Sequence, residues 1–157
     1  MDIKCYAFEN TDHELESPFY EYLQKYAPPM KESQKALEKR VNRIIKVKEH
    51  IKHLISIKGC YQYPPLVKSY KCRKIGDITE IGVLKIKEGN NLIRVGFITL
   101  IDRNEILIFD AFDKPASYEK AKKQQVKKIE HQFIERIEAC IENYFENRFS
   151  LPLNLEK

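Results

Sequence analysis

Apolar residues along this chain recur with different periods, and each change of period marks a change of element. From Lys31 to Ile57, Leu37, Val41, Ile44, Ile51, Leu54 and Ile55 return every three or four positions. That spacing lays one apolar stripe along an α-helix. Gly59 is placed to end it, because helices readily stop on a residue that tolerates a left-handed backbone. Ahead of it, "SPFYEYLQKYA" (17–27) opens with a capping serine and a proline at the first helical position, and "APP" stops that shorter helix. "YQYPPLVKSYKC" reads as a proline-interrupted connection rich in aromatics.

The pattern then turns β-rich. "ITEIGVLKI" (78–86), "LIRVGFITLI" (92–101) and "EILIFDAF" (105–112) are separated by "KEGNN" and "DRN", each short enough for a hairpin turn. Three strands so joined make an antiparallel meander. "DIKCYAF" (2–8) predicts one further short strand. From Ser117 to about Asn147 the helical period returns, with Val126, Ile129, Phe133, Ile137, Ile141 and Tyr144 as its stripe. About 30 residues at 1.5 Å each give roughly 45 Å, longer than such a sheet covers. The far end is therefore expected on another helix or another chain.

Helices, then an antiparallel sheet, then a helix predict an α+β fold: a β-meander with the N-terminal helices on one face and a long C-terminal helix. With helices on one sheet face, the opposite face is expected to stay open and to carry function. The 157 residues predict one domain, its mainly helical part over 1–60 and its sheet and last helix over 61–157. No stretch approaches 18 consecutive apolar residues, and "MDIKCYAFEN" lacks a signal-peptide core, so a cytoplasmic protein with no membrane partner is expected. Cys5, Cys60, Cys72 and Cys140 are scattered, which predicts reduced thiols and neither disulfide nor zinc site.

A net charge of +5 is mild, and its distribution says more than its total. Between Lys31 and Lys58, nine cations face Glu32, Glu38 and Glu49. The last helix begins with Lys120, Lys122 and Lys123, although helix N-termini favour negative charge. Such patches suit a phosphate backbone or an acidic partner, and equally a solvated helix face.

No P-loop, dinucleotide fingerprint, zinc-protease or nucleophile-elbow motif is present, so those chemistries have no support. His50 and His53, three apart, read as surface histidines, and no metal or cofactor is implied. Asp110 and Asp113 bracket the end of the third strand, Asp113 as a turn or cap residue. Arg94 interrupts an apolar strand on the face of Leu92, Gly96, Ile98 and Leu100. It is either paired with a carboxylate such as Glu80 or aimed at an anion, and Gly96 leaves room for close approach. Lys85 and Lys87 end the first strand on one face, and Lys114 ends the third. Lys114 and Lys122 lie four residues either side of Tyr118, which is either a sheet-packing aromatic or a tyrosine whose pKa neighbouring cations depress. RNA cleavage by 2′-hydroxyl attack needs a proton acceptor, cations around the phosphorane and a donor to the leaving oxygen. His131 lies about 20 Å along the helix from Tyr118, too far to share its phosphate.

The segment from Pro64 to Glu138 resembles the RelE/ParE superfamily of bacterial toxins, especially HigB-like and phage-derived members. The resemblance rests on "PPLVKSYK" leading into the sheet, "EIGVLKI", the arginine-containing "IRVGFITL", and "EILIFDAFDKPASYEKAKK". It implies an α+β fold with an antiparallel sheet and flanking helices. It also implies metal-independent cleavage of mRNA, usually on the ribosome, neutralised by a cognate antitoxin. In ParE-like members it implies gyrase as the target instead. Arg94, Lys114 and Tyr118 match positions the resemblance implies as catalytic, and Lys85, Lys87, Lys122 and Lys123 are the expected RNA-binding set. Three features depart from the family pattern: apolar Val83 or Leu84 replaces an arginine, Asp113-Lys114 replaces Lys-Lys, and the first 60 residues exceed a minimal toxin.

Three functions are therefore expected to compete: a toxin-type endoribonuclease, a non-catalytic binding module on the same fold, and a protein whose basic 31–58 helix and last helix dock an acidic partner. The first requires the cations to converge on one patch of the sheet.

Overall fold

The computed structural model describes residues 1–26, 33–89, 91–114 and 120–155, the side chains of Asn91 and of residues 120–122 excepted. The chain runs β1 (Asp2–Tyr6), β2 (Phe8–Glu9), β3 (Leu15–Glu16), α1 (Pro18–Gln24), α2 (Gln34–Ser56), β4 (Val67–Ile75), β5 (Ile78–Glu88), β6 (Asn91–Leu100), β7 (Glu105–Lys114), α3 (Lys120–Asn147) and β8 (Ser150–Pro152), with one 3₁₀ turn at Ile101–Arg103. The six-stranded sheet has the order β4-β5-β6-β7-β1-β8. The α+β class and the antiparallel meander hold, and the second half of "YQYPPLVKSYKC", expected as a connection, opens a fourth meander strand, β4. The N-terminal strand does form, and it pairs parallel to β7 rather than antiparallel.

Local chemistry sets the helix ends. Ser17 accepts a hydrogen bond from the Tyr20 N–H and Ser33 from the Ala36 N–H, so α1 and α2 each start on a side-chain cap. Gly59 follows α2 at φ +64, and its N–H donates to the Leu54 carbonyl.

Two apolar layers sandwich the sheet. On one face Phe19, Tyr22 and Leu23 of α1 and Val47, Ile51 and Leu54 of α2 pack on Leu84, Ile86, Ile93, Val95, Phe97, Ile106 and Ile108. On the other, Phe133, Ile137, Ile141 and Tyr144 of α3 pack on Ile81, Val83, Ile98, Leu107 and Phe109. The expectation of one open face is thus overturned. The reason is legible in the strands, whose apolar residues occupy both alternations, and a strand apolar on both sides needs cover on both. The far end of α3 also stays on the sheet instead of seeking another helix or chain. There Arg103 donates to the Tyr144 hydroxyl, and the Phe145 ring lies beside Gly76.

One irregularity positions the site. Gly96 pairs with Asp110 while Phe97 pairs with Ile108, leaving an extra residue in β7. Such a bulge swaps the faces of every residue beyond it. Leu107 and Phe109 face α3 before it, Phe112 faces α3 after it, and Ala111 turns to the α1–α2 layer. Asp113 therefore faces α1, and Lys114 faces α3.

Candidate nucleic-acid interface

The α3 face of the meander gathers cations from four adjacent strands at one end. The register aligns Lys85 of β5 with Arg94 of β6 and Phe112 of β7, and the next row aligns Lys87, Leu92 and Lys114. Lys68 of β4 sits across from Val83 on the same face. These groups sense one another: burial, then Arg94, Lys68 and Lys114, push the Lys85 amine below its ordinary pKa, and Glu130 opposes them.

Glu130 descends into this cluster from α3. Its carboxylate accepts from Lys114 Nζ at 2.8 Å and from the Tyr70 hydroxyl at 3.3 Å. Burial, and then the neighbouring Glu130, raise the Tyr70 hydroxyl to about 12, while Arg94 pulls the other way. Lys68 Nζ lies 5.0 Å above the Tyr70 ring, a cation–π contact at the edge of the cluster. Tyr70, Arg94, Phe112, Glu130 and Phe133 line a small cavity between sheet and helix. Next to it a cavity of about 380 Å³ runs between β4 and α3, past Lys71, Arg73, Lys127 and His131. His131 itself points outward and pairs with Glu135 at 3.0 Å.

Of the residues selected from sequence, Arg94, Lys114, Lys85 and Lys87 come together on one face. Lys123 is exposed on the first turn of α3. Tyr118 lies outside the described residues, as does the side chain of Lys122. Glu80 is not the partner of Arg94, because it alternates onto the opposite face with Gly82 and Leu84, toward Tyr61. Nor does Gly96 make room for a ligand. A Cβ there would run into Ile137 and come within 3.2 Å of the Phe133 ring, so α3 is what approaches.

Lys68, Tyr70 and Glu130 escaped the sequence reading. The first two lie where the Pro64-Pro65 pair makes the chain read as a connection, although the alternation of Lys68, Tyr70 and Cys72 is a strand signal. Glu130 was one of several glutamates in the second half of a helix, and nothing in its spacing distinguishes it.

Asp113, expected as a turn or cap residue, instead stands within β7 and organises the other face. Its carboxylate accepts from the hydroxyls of Tyr22 at 2.5 Å and Tyr26 at 2.7 Å and from Lys25 Nζ at 3.0 Å. Burial acts to raise its pKa, but these three donors outweigh it and hold the carboxyl below the ordinary range. Tyr22, buried and facing this carboxylate, is pushed far above the ordinary phenol value.

Among the described residues no three His, Cys, Asp or Glu side chains are grouped to hold a metal ion, and no helix is long and apolar enough to cross a membrane. Comparison with protein-family models, with curated proteins and with solved structures finds no match to this chain.

Proposed function

We propose that this chain is a toxin-type endoribonuclease that cleaves mRNA without a metal, in association with the ribosome, and so inhibits translation in the cytoplasm. A cognate antitoxin is its protein partner. The observation that carries this is the convergence of Lys68, Lys85, Arg94 and Lys114 around Tyr70 and Glu130. The resemblance of 64–138 to RelE/ParE toxins supports the same reading.

The chemistry assigned to the site is a transesterification. The 2′-oxygen forms a bond to phosphorus, and the bond from phosphorus to the 5′-oxygen breaks. Glu130 is placed to take the 2′-hydroxyl proton. Arg94, Lys85 and Lys114 stabilise the extra negative charge of the phosphorane, each N–H at close range acting where water is largely displaced. Tyr70, whose raised pKa keeps it protonated at neutral pH, supplies a proton to the leaving 5′-oxygen. The products are a 2′,3′-cyclic phosphate and a 5′-hydroxyl end.

The test is growth of bacteria on induction of the wild-type chain, beside an Arg94→Ala, Tyr118→Phe variant and an Arg94→Ala, Glu130→Gln variant. Arrest by wild type alone, with shortened mRNA bearing cyclic-phosphate ends, is the expected result. Equal arrest by all three moves the mechanism off this site. No arrest, with RNA still bound, leaves the non-catalytic binding module.

A further inference from the structure

The end of the meander away from the α3-face cluster is forked. The β5–β6 ladder runs from Glu88 and Asn91 to Gly82 and Phe97 and stops there. Beyond it β5 keeps its place on β4, through Glu80 with Lys71 and Ile78 with Ile75. β6 keeps its place on β7, through Ile98 with Leu107 and Leu100 with Glu105. A cavity of about 450 Å³ lies at the fork, within the usual range of small-molecule sites. Backbone groups that a continuous ladder would pair face it. The Thr99 N–H donates at 2.7 Å to the Tyr61 hydroxyl, so a side chain takes a bond that a strand otherwise makes. In a strand the Thr99 carbonyl points to the same side as its own N–H, and so into the fork.

Charges of both signs line this cavity without meeting. Asp77, just before β5, and Glu80 within it stand on one bank. Arg103, after β6, and Arg148, after α3, stand on the other, with Asp102 as the fifth charge. Among the described residues no two of these five form an ion pair. Each arginine is anchored on an aromatic instead. Arg103 Nη1 donates to the Tyr144 hydroxyl at 3.1 Å, and the Arg148 guanidinium lies 4.6 Å over the Phe145 ring. Either contact leaves N–H donors of the rigid guanidinium for an incoming carboxylate. The rest of the lining includes apolar Ile78, Leu100 and Phe145, and Ile101, 81% exposed, adds apolar surface open to a ligand.

We propose that this fork binds a short zwitterionic peptide, its C-terminal carboxylate on Arg103 and Arg148, its N-terminal ammonium on Asp77 and Glu80, and its amides on the open strand edges. About three residues extend roughly 10 Å, which matches the stretch 98–100 of β6 past the end of the β5–β6 ladder. A ligand with one charge would leave one bank unmet. A nucleic acid would face three carboxylates against two guanidiniums. A zwitterion without amides would leave the Thr99 carbonyl to water. Strand edges hold extended peptides through main-chain hydrogen bonds, and an apolar lining takes their alternate side chains. The site shares no residue with the α3-face cluster and does not depend on its chemistry.

The experiment is isothermal titration calorimetry of the full chain with trileucine, chosen for the apolar lining, and with its N-acetyl and C-amide forms. Trileucine is expected to bind wild type, and loss of either terminal charge to lower affinity about tenfold, the scale of one charge-assisted hydrogen bond. In Arg148→Gln, trileucine is expected to bind about tenfold more weakly, and amidation to cost less than it does in wild type. In Asp77→Asn, Glu80→Gln, acetylation is expected to lose its effect in the same way. Arg148 and Asp77 are exposed, and the modified peptides test wild type by itself, so the result does not hang on a variant's fold.

No binding of trileucine to wild type at millimolar concentration overturns the inference, as does equal affinity for its three forms. Binding that neither variant changes overturns it by moving the peptide off this cavity. Full affinity of the acetylated form, with loss of the amidated one, overturns the free peptide in favour of the C-terminal end of a partner protein. Each of these outcomes leaves the RNA chemistry of the α3 face untouched.

Discussion

Asp113 and Lys114 are consecutive on β7, yet Asp113 accepts from Tyr22 and Tyr26 on one face while Lys114 binds Glu130 on the other. Neighbouring strand residues always part in this way, but the bulge beside Gly96 decides which goes where. Without it, the carboxylate would stand among Lys85 and Arg94 and the lysine would be pressed against the tyrosines. A one-residue insertion thus sorts the charges of the two sheet faces.

Asp113→Asn is expected to destabilise the chain by about 1–3 kcal/mol, since two largely buried hydroxyls lose their charged acceptor. Because the folded carboxyl is held below its ordinary value, its contribution is complete above the unfolded pKa of about 3.9 and disappears as pH falls through the lower folded value. Urea melts of wild type should show that acid decline, and the variant should lack that part of it. Identical acid limbs would remove Asp113 from the account.

Lys85→Gln is expected to raise stability and to weaken RNA binding together. Burial and three neighbouring cations disfavour its charged form in the fold, so Lys85 costs stability at neutral pH. The cost is relieved as pH rises from its lowered folded pKa toward about 10.4, the unfolded value. A wild-type melting midpoint that approaches the variant's on the alkaline side checks this. Coincident midpoints at neutral pH would count against it.

Glu130→Gln is expected to lower cleavage by about 10²–10⁴, the usual worth of a positioned acid or base, while RNA affinity holds or rises. The same change removes a carboxylate that supports the Lys85 charge, so the Lys85 pKa should drop further. Carbon-13 spectra of reductively methylated lysines read that shift directly. Lost cleavage with an unmoved Lys85 resonance would point to a displaced helix instead.

Gly96→Ala is expected to cost about 1–3 kcal/mol through overpacking, because the new methyl group meets Ile137 and Phe133. Gly89→Ala provides the contrast. Among the described residues nothing lies within 4 Å of a Cβ there, and the φ of +58 leaves a backbone effect of about 1 kcal/mol. Thermal melts that rank the two in the opposite order would show that α3 does not bear on β6 at Gly96.

Much of the fold was decided locally and could be read in order along the chain. Three- and four-residue spacing placed α2 and α3, Ser17-Pro18 opened α1, and short polar turns joined β5, β6 and β7. Each of these depends on neighbours a few residues away. Arg94, Lys85 and Lys87 could likewise be put on one face, because alternation along a regular hairpin needs no outside information.

What the tertiary structure alone decided lies where distant segments meet. The cover on both sheet faces, the parallel place of β1 beside β7, and the role of Asp113 all depend on partners far along the chain. Glu130 reaches Tyr70 across 60 residues of sequence. No local spacing encodes such a contact, because it exists only once α3 has packed its apolar stripe on the sheet. The bulge has the same origin: it changes which side chains share a face, and thereby which charges become neighbours.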